Sequence, residues 1–73
     1  MSEWISYIIE KERRGSGEIE EEYFDDRHLA EEVFKAYDDK DTYGEIYASV
    51  ELLEKNWRDR SGRSLDYIDF TED

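Results

Sequence analysis

YGEIYASVELLEKNW, residues Tyr43 to Trp57, is the stretch that decides the fold, because it can be read with two periods. With a period of two, Ile46, Ala48, Val50 and Leu52 alternate against Glu45, Tyr47, Ser49 and Glu51, as a strand with one buried face requires. With a period of 3.6, Tyr43, Ile46, Val50, Leu53 and Trp57 share a stripe, and Thr42 and Glu45 have capping-box spacing. The strand reading is preferred because Arg58-Asp59-Arg60-Ser61-Gly62-Arg63, with Leu65, Tyr67 and Ile68 beyond it, looks like a hairpin tip and a return strand.

The same pattern occurs near the N-terminus. Ile5, Tyr7 and Ile9 alternate against Trp4, Ser6, Ile8 and Glu10. Arg13-Arg14-Gly15-Ser16-Gly17 then supplies a glycine-containing tip, and Ile19 and Tyr23 alternate against Glu18, Glu20 and Glu22. Glu21 falls in phase with Ile19 and Tyr23, so this strand is expected at a sheet edge, where an inward charge can reach solvent. An amphipathic helix comes next, with Leu29, Ala30, Val33, Phe34 and Tyr37 on one stripe. The helix begins at Asp25 or Asp26, and Asp25 as N-cap would set Phe24 against Leu29 as a hydrophobic staple. Asp38-Asp39-Lys40-Asp41 has nothing to bury and reads as a loop. The predicted fold is therefore α+β, one small domain over 1–73, with two β-hairpins flanking one helix (ββαββ). Its elements are strand 4–12, strand 18–24, helix 26–37, strand 43–54 and strand 64–70. The alternative is ββααβ with residues 43–58 helical.

Composition bounds the function. A chain of 73 residues buries little surface, and ordering it costs roughly 1.5 kcal/mol per residue, so two Trp, six Tyr and three Phe must supply much of the core. Ten basic and twenty-two acidic residues give a net charge of −12, which repels nucleic acid and anionic membrane and attracts basic protein surfaces. Without cysteine there is no disulfide and no thiolate metal site, and the N-terminal apolar run is too short for a signal peptide or a spanning helix, so a cytoplasmic protein is expected.

No catalytic, cofactor or metal motif is legible, and the chain is expected not to be an enzyme. His28 is the only histidine, and no elbow motif selects any of the six serines to partner it. Asp39 to Gly44 begins like a calcium loop, but Tyr43 holds the fifth position and Val50 the twelfth. The glycines of Gly15-Ser16-Gly17 lack the downstream Lys-Ser/Thr of a phosphate loop. What remains is an acidic surface. Glu18, Glu20 and Glu22, projecting from one strand face, and Asp25, Asp26, Glu31 and Glu32, continuing onto the helix, are the expected partner-binding residues, each a phosphate-like acceptor for Arg and Lys. Five of the ten basic residues lie in the two tips, which would make a dipolar molecule if both tips shared one end. In size and acidity the chain resembles the phage-encoded inhibitors of restriction and CRISPR systems that imitate DNA, a likeness of composition. It implies an inhibitor or adaptor docking on a basic, nucleic-acid-binding surface. The alternative is an assembly protein that homo-oligomerises through an edge strand or its aromatic surface.

Overall fold

The computed structural model describes residues 4–71. Its elements are β1 (Ile5–Arg13), β2 (Ile19–Phe24), α1 (Arg27–Ala36), a one-turn α2 (Lys40–Tyr43), β3 (Tyr47–Asn56) and β4 (Ser61–Asp69). The four strands form one antiparallel sheet in the order β2-β1-β3-β4. This is the expected pair of hairpins around a helix, with β3 starting at Tyr47 rather than at 43, where Tyr43 closes α2, and β4 at Ser61 rather than at 64, and the helical alternative for residues 43–58 is not realised. β3 is hydrogen-bonded on both sides, to β1 and to β4, so the backbone of the ambiguous stretch is satisfied by pairing rather than by a helical ladder.

One side of the sheet is covered by α1. Ile9, Val50 and Leu52 face it and meet Ala30 and Phe34, with Tyr47 and Phe70 completing the core. A ten-residue helix is too short to hold its shape alone in water, so α1 persists because this stripe is buried. Two irregularities set which side chains reach the core. The β1–β3 register shifts between Glu12 and Arg13, with Glu12 opposite Ser49 and Arg13 opposite Tyr47. Ala48 is thereby passed over, and Tyr47 turns to the helix side, against the simple alternation. A second shift leaves Leu65 between the pairs Leu52–Asp66 and Leu53–Ser64, which lets Leu65 and Ile68 both pack on the core.

The helix start differs from the expectation. Asp26, not Asp25, is the N-cap, its side chain accepting from the His28 N–H at 2.8 Å. His28 is then the second helical residue. The shift takes Leu29 off the staple position, and it is 50% exposed, while Phe24 packs against the core without it. The segment expected as a loop at 38–41 contains the start of α2, because Asp39 caps it by accepting from the Thr42 N–H (3.2 Å) and hydroxyl (2.7 Å). These bonds occupy the carboxylate that would hold the first position of a calcium loop. Gly44 ends the turn, where a Cβ would lie 2.5 Å from the Lys40 carbonyl oxygen.

The two Arg-rich tips lie at opposite ends of the sheet. β1 runs antiparallel to β3, so the tip after Arg13 lies beside Tyr47 and the tip after Asn56 lies beside Ile5. No dipole with a single basic end exists. Arg14 is also committed: its guanidinium donates to the Gly44 carbonyl and, at 2.8 Å, to the Phe70 carbonyl, tying the first tip to the end of α2 and to the segment after β4.

Candidate functional site

The sheet divides its carboxylates between two faces, and the division is not the expected one. In β2 the even positions, Glu20, Glu22 and Phe24, are half-buried on the helix side, whereas Ile19, Glu21 and Tyr23 are exposed. The apolar residues thus point away from the helix and two of the three glutamates point beneath it.

The reason is Lys11. It lies in phase with Ile9 on the covered face of β1 and is only 7% exposed. A buried ammonium must be paired. Its Nζ donates to Glu22 Oε1 at 2.7 Å and to the Tyr37 hydroxyl at 3.2 Å, and lies 3.7 Å from Glu20 Oε1. Tyr37 in turn donates to Glu22, Tyr47 donates to Glu20 at 3.0 Å, and Arg13 Nη1 donates to the other oxygen of Glu20 at 2.9 Å. The ammonium also lies 5.2 Å and 5.6 Å from the ring centroids of Tyr37 and Tyr47, within cation–π reach. Burial alone would lower the Lys11 pKa, but the bonds from Glu22 and Tyr37 outweigh it and the net shift is upward. Burial likewise opposes the charge on Glu22, yet the bonds from Lys11 and Tyr37 hold it below its ordinary value. Arg13 and Tyr47 do the same for Glu20. Glu20 and Glu22 are therefore partners of the fold, not projecting acceptors.

The other expected residues are dispersed. Glu18 is exposed in the turn before β2, and Asp25 is exposed between β2 and α1. Asp26 is occupied as the cap. Glu31 accepts from Arg27 Nε at 3.3 Å, and Glu32 lies 3.2 Å from His28 Nε2, both as pairs along the helix. The acidic edge running continuously from strand to helix is not formed.

A different set of carboxylates is brought together on the face that no helix covers. Glu10 stands opposite Glu21 on one side and Glu51 on the other, and Glu51 stands opposite Tyr67. Neighbouring strands lie about 4.8 Å apart, so three carboxylates occupy adjacent positions in a row across three strands. None of the three forms an ion pair among the described residues. The next row is Tyr23, Ile8, Leu53 and Ser64, apolar at three of its four positions. Beyond it, Lys55 lies opposite Ser6 and stacks 4.3 Å from the Trp57 ring centroid, while the Trp57 indole donates to Ser6 Oγ at 3.0 Å. Tyr23 and Tyr67 are each more than half exposed.

No family model, curated protein or solved structure matches the chain. Among the described residues no group of His, Asp and Glu is arranged to hold a metal ion, and no helix is long and apolar enough to cross a membrane.

The carboxylate row works against the fold. Like charges directly opposite one another destabilise a sheet, and the Glu10 pKa is raised by burial first and then by Glu21 and Glu51. A group whose folded pKa lies above its unfolded one costs stability at neutral pH, and that cost disappears once acid has neutralised it in both states. Glu10→Gln is accordingly expected to stabilise the protein by about 0.5 kcal/mol at pH 7. In urea denaturation the gain should be present at pH 7 and absent near ~pH 3, where glutamates are protonated in the unfolded chain. A stabilisation that persists in acid would show that repulsion is not its source.

Sequence reasoning missed Glu10, Glu21 and Glu51. A signal exists in the pattern: Glu10 is in phase with Ile8 on the second face of β1. Lys11, in phase with Ile9, requires an acidic partner on the covered side, which Glu20 and Glu22, in phase with Phe24, can supply.

Proposed function

We propose that this chain is a small non-enzymatic binding protein, an inhibitor or adaptor that docks on a basic surface of another protein in the cytoplasm. The nucleic-acid-binding groove of a nuclease or repressor is such a surface, as in the DNA-imitating inhibitors the composition resembles. The observation that carries this reading is the surplus of unneutralised carboxylate: Glu10, Glu12, Glu18, Glu21, Asp25 and Glu51 form no ion pair among the described residues. Such carboxylates present Arg and Lys side chains with the acceptor chemistry of a phosphate backbone.

The test is recovery of partners from the native host followed by a salt titration. The expected partner is basic and is released as salt rises from ~0.05 M to ~0.5 M, over which screening shortens from more than 10 Å to a few ångström. Retention that ignores salt would overturn the reading. The exposed Tyr23 and Tyr67 favour a second reading, self-assembly through the aromatic surface. Sedimentation at several concentrations separates the two, since assembly requires an oligomer insensitive to salt.

A further inference from the structure

We propose that the docking surface is the uncovered face of the sheet, and that its occupant is a segment of another protein presenting clustered arginine or lysine side chains beside an apolar one. The proposal rests on the basic-partner reading and adds the location and the chemistry recognised. The two faces of this sheet solve the same problem differently. On the covered face, three of the four strand carboxylates, Glu20, Glu22 and Glu54, each meet a Lys or Arg from a neighbouring strand, and Asp66 meets none among the described residues. On the uncovered face, Glu21, Glu10 and Glu51 stand side by side with no cation among them, although like charges in that arrangement weaken the sheet. A cation supplied from outside relieves the repulsion.

The surroundings suit the rest of an Arg or Lys side chain. Tyr67 ends the carboxylate row at β4, and Tyr23 lies beside Glu21 in the adjoining row with Ile8 and Leu53. Guanidinium groups stack on tyrosine faces and alkyl stems lie along apolar surface while their charged ends reach the carboxylates. Phosphate and lipid headgroups are repelled by the same row. A second copy of this chain would set carboxylate against carboxylate, so the charge pattern favours a cationic partner over self-pairing.

The probe is a fluorescein-labelled nona-arginine peptide, followed by anisotropy at ~0.15 M salt, where screening leaves mainly contacts closer than about 8 Å. Two triple variants remove the same charge from different places: Glu10→Gln/Glu21→Gln/Glu51→Gln on the face, and Asp38→Asn/Asp41→Asn/Glu45→Gln at exposed positions around α2. The face variant is expected to bind at least about tenfold more weakly and the control within about threefold of wild type, since contact pairs outweigh screened charge. Tyr23→Ser/Tyr67→Ser, which changes no charge, is expected to weaken binding about threefold through lost stacking. Thermal melts check that each variant folds. Equal losses in both triples, or a larger loss in the control, would overturn the face while leaving a ligand for basic partners. No binding by the wild type removes the basic-partner reading itself. A dimer at neutral pH that the tyrosine variant dissolves would give the face to a second copy and overturn the proposal.

Discussion

Replacing Lys11 with methionine, which keeps most of its volume, should lower the unfolding free energy by about 2 kcal/mol at pH 7, the range for a hydrogen bond to a charged group, since the carboxylates it leaves behind are about a third exposed. Glu22 and Glu20 would be left facing each other beneath α1 without their ammonium. For a domain of this size that corresponds to a fall of roughly 8 to 16 °C in the melting temperature. The pH dependence identifies the cause. Glu20 and Glu22 are held below the ordinary glutamate value of 4.5, so the stability they contribute is complete above that value and is lost as the pH falls through their depressed ones. Below that range wild type keeps a buried ammonium whose partners have become neutral. The gap between wild type and Lys11→Met should therefore be narrower near ~pH 3 than at pH 7. Denaturant titrations at the two pH values check this, and an equal gap at both would assign the effect to packing alone.

Phe34→Ala is expected to cost about 4 kcal/mol, in the range for emptying a buried phenylalanine site. Phe34 is buried between α1 and the sheet, and the only other fully buried side chain of the helix is Ala30. A marginal protein of 73 residues has on the order of 4 to 11 kcal/mol to lose. Melting followed by far-UV circular dichroism should shift down by roughly 16 to 32 °C. Phe34→Leu, which retains much of the volume, should remain folded. A Phe34→Ala variant that melts like wild type would mean that the helix is held by its ends rather than by its stripe.

The fold was largely legible and the candidate site was not, for a common reason. Period-two patterns mark strands wherever one face is apolar, which is why both hairpins can be read from Ile5 to Ile9 and from Ala48 to Leu52, whereas the edge position of β2 holds although Glu21, taken as an inward charge, lies on the exposed face. The inference that apolar residues also identify the buried face failed at β2. There a lysine on the neighbouring strand drew Glu20 and Glu22 inward, and Ile19 and Tyr23 were left outside. Phase along one strand does not reveal phase relative to the next. The same blindness affected Tyr47, turned inward by the shift at Ala48, and Leu65, turned inward by the shift at Leu52. The one-residue error in the cap had a similar origin: Asp25 and Asp26 are both good caps, and only packing selects between them. Phase places Glu10 on the second face of β1, but its alignment with Glu21 and Glu51 needs the register, since the row's members are 41 positions apart at the extremes, from Glu10 to Glu51.

The strand order has a consequence for how the chain acquires its structure. β1 and β3 form the centre of the sheet, yet β2, α1 and α2 are made between them. Each hairpin closes over a short tip, but a lone hairpin is at best marginally stable in water. Joining the two requires a contact across more than thirty intervening residues, from Arg13 to Tyr47, and such closure is what slows folding. On a ribosome the first hairpin and α1 emerge before the strand that completes their core, so Ile9 and Phe34 stay uncovered until β3 has been synthesised. The rate of that central docking, rather than of either turn, should set how long the nascent chain exposes surface to chaperones and proteases.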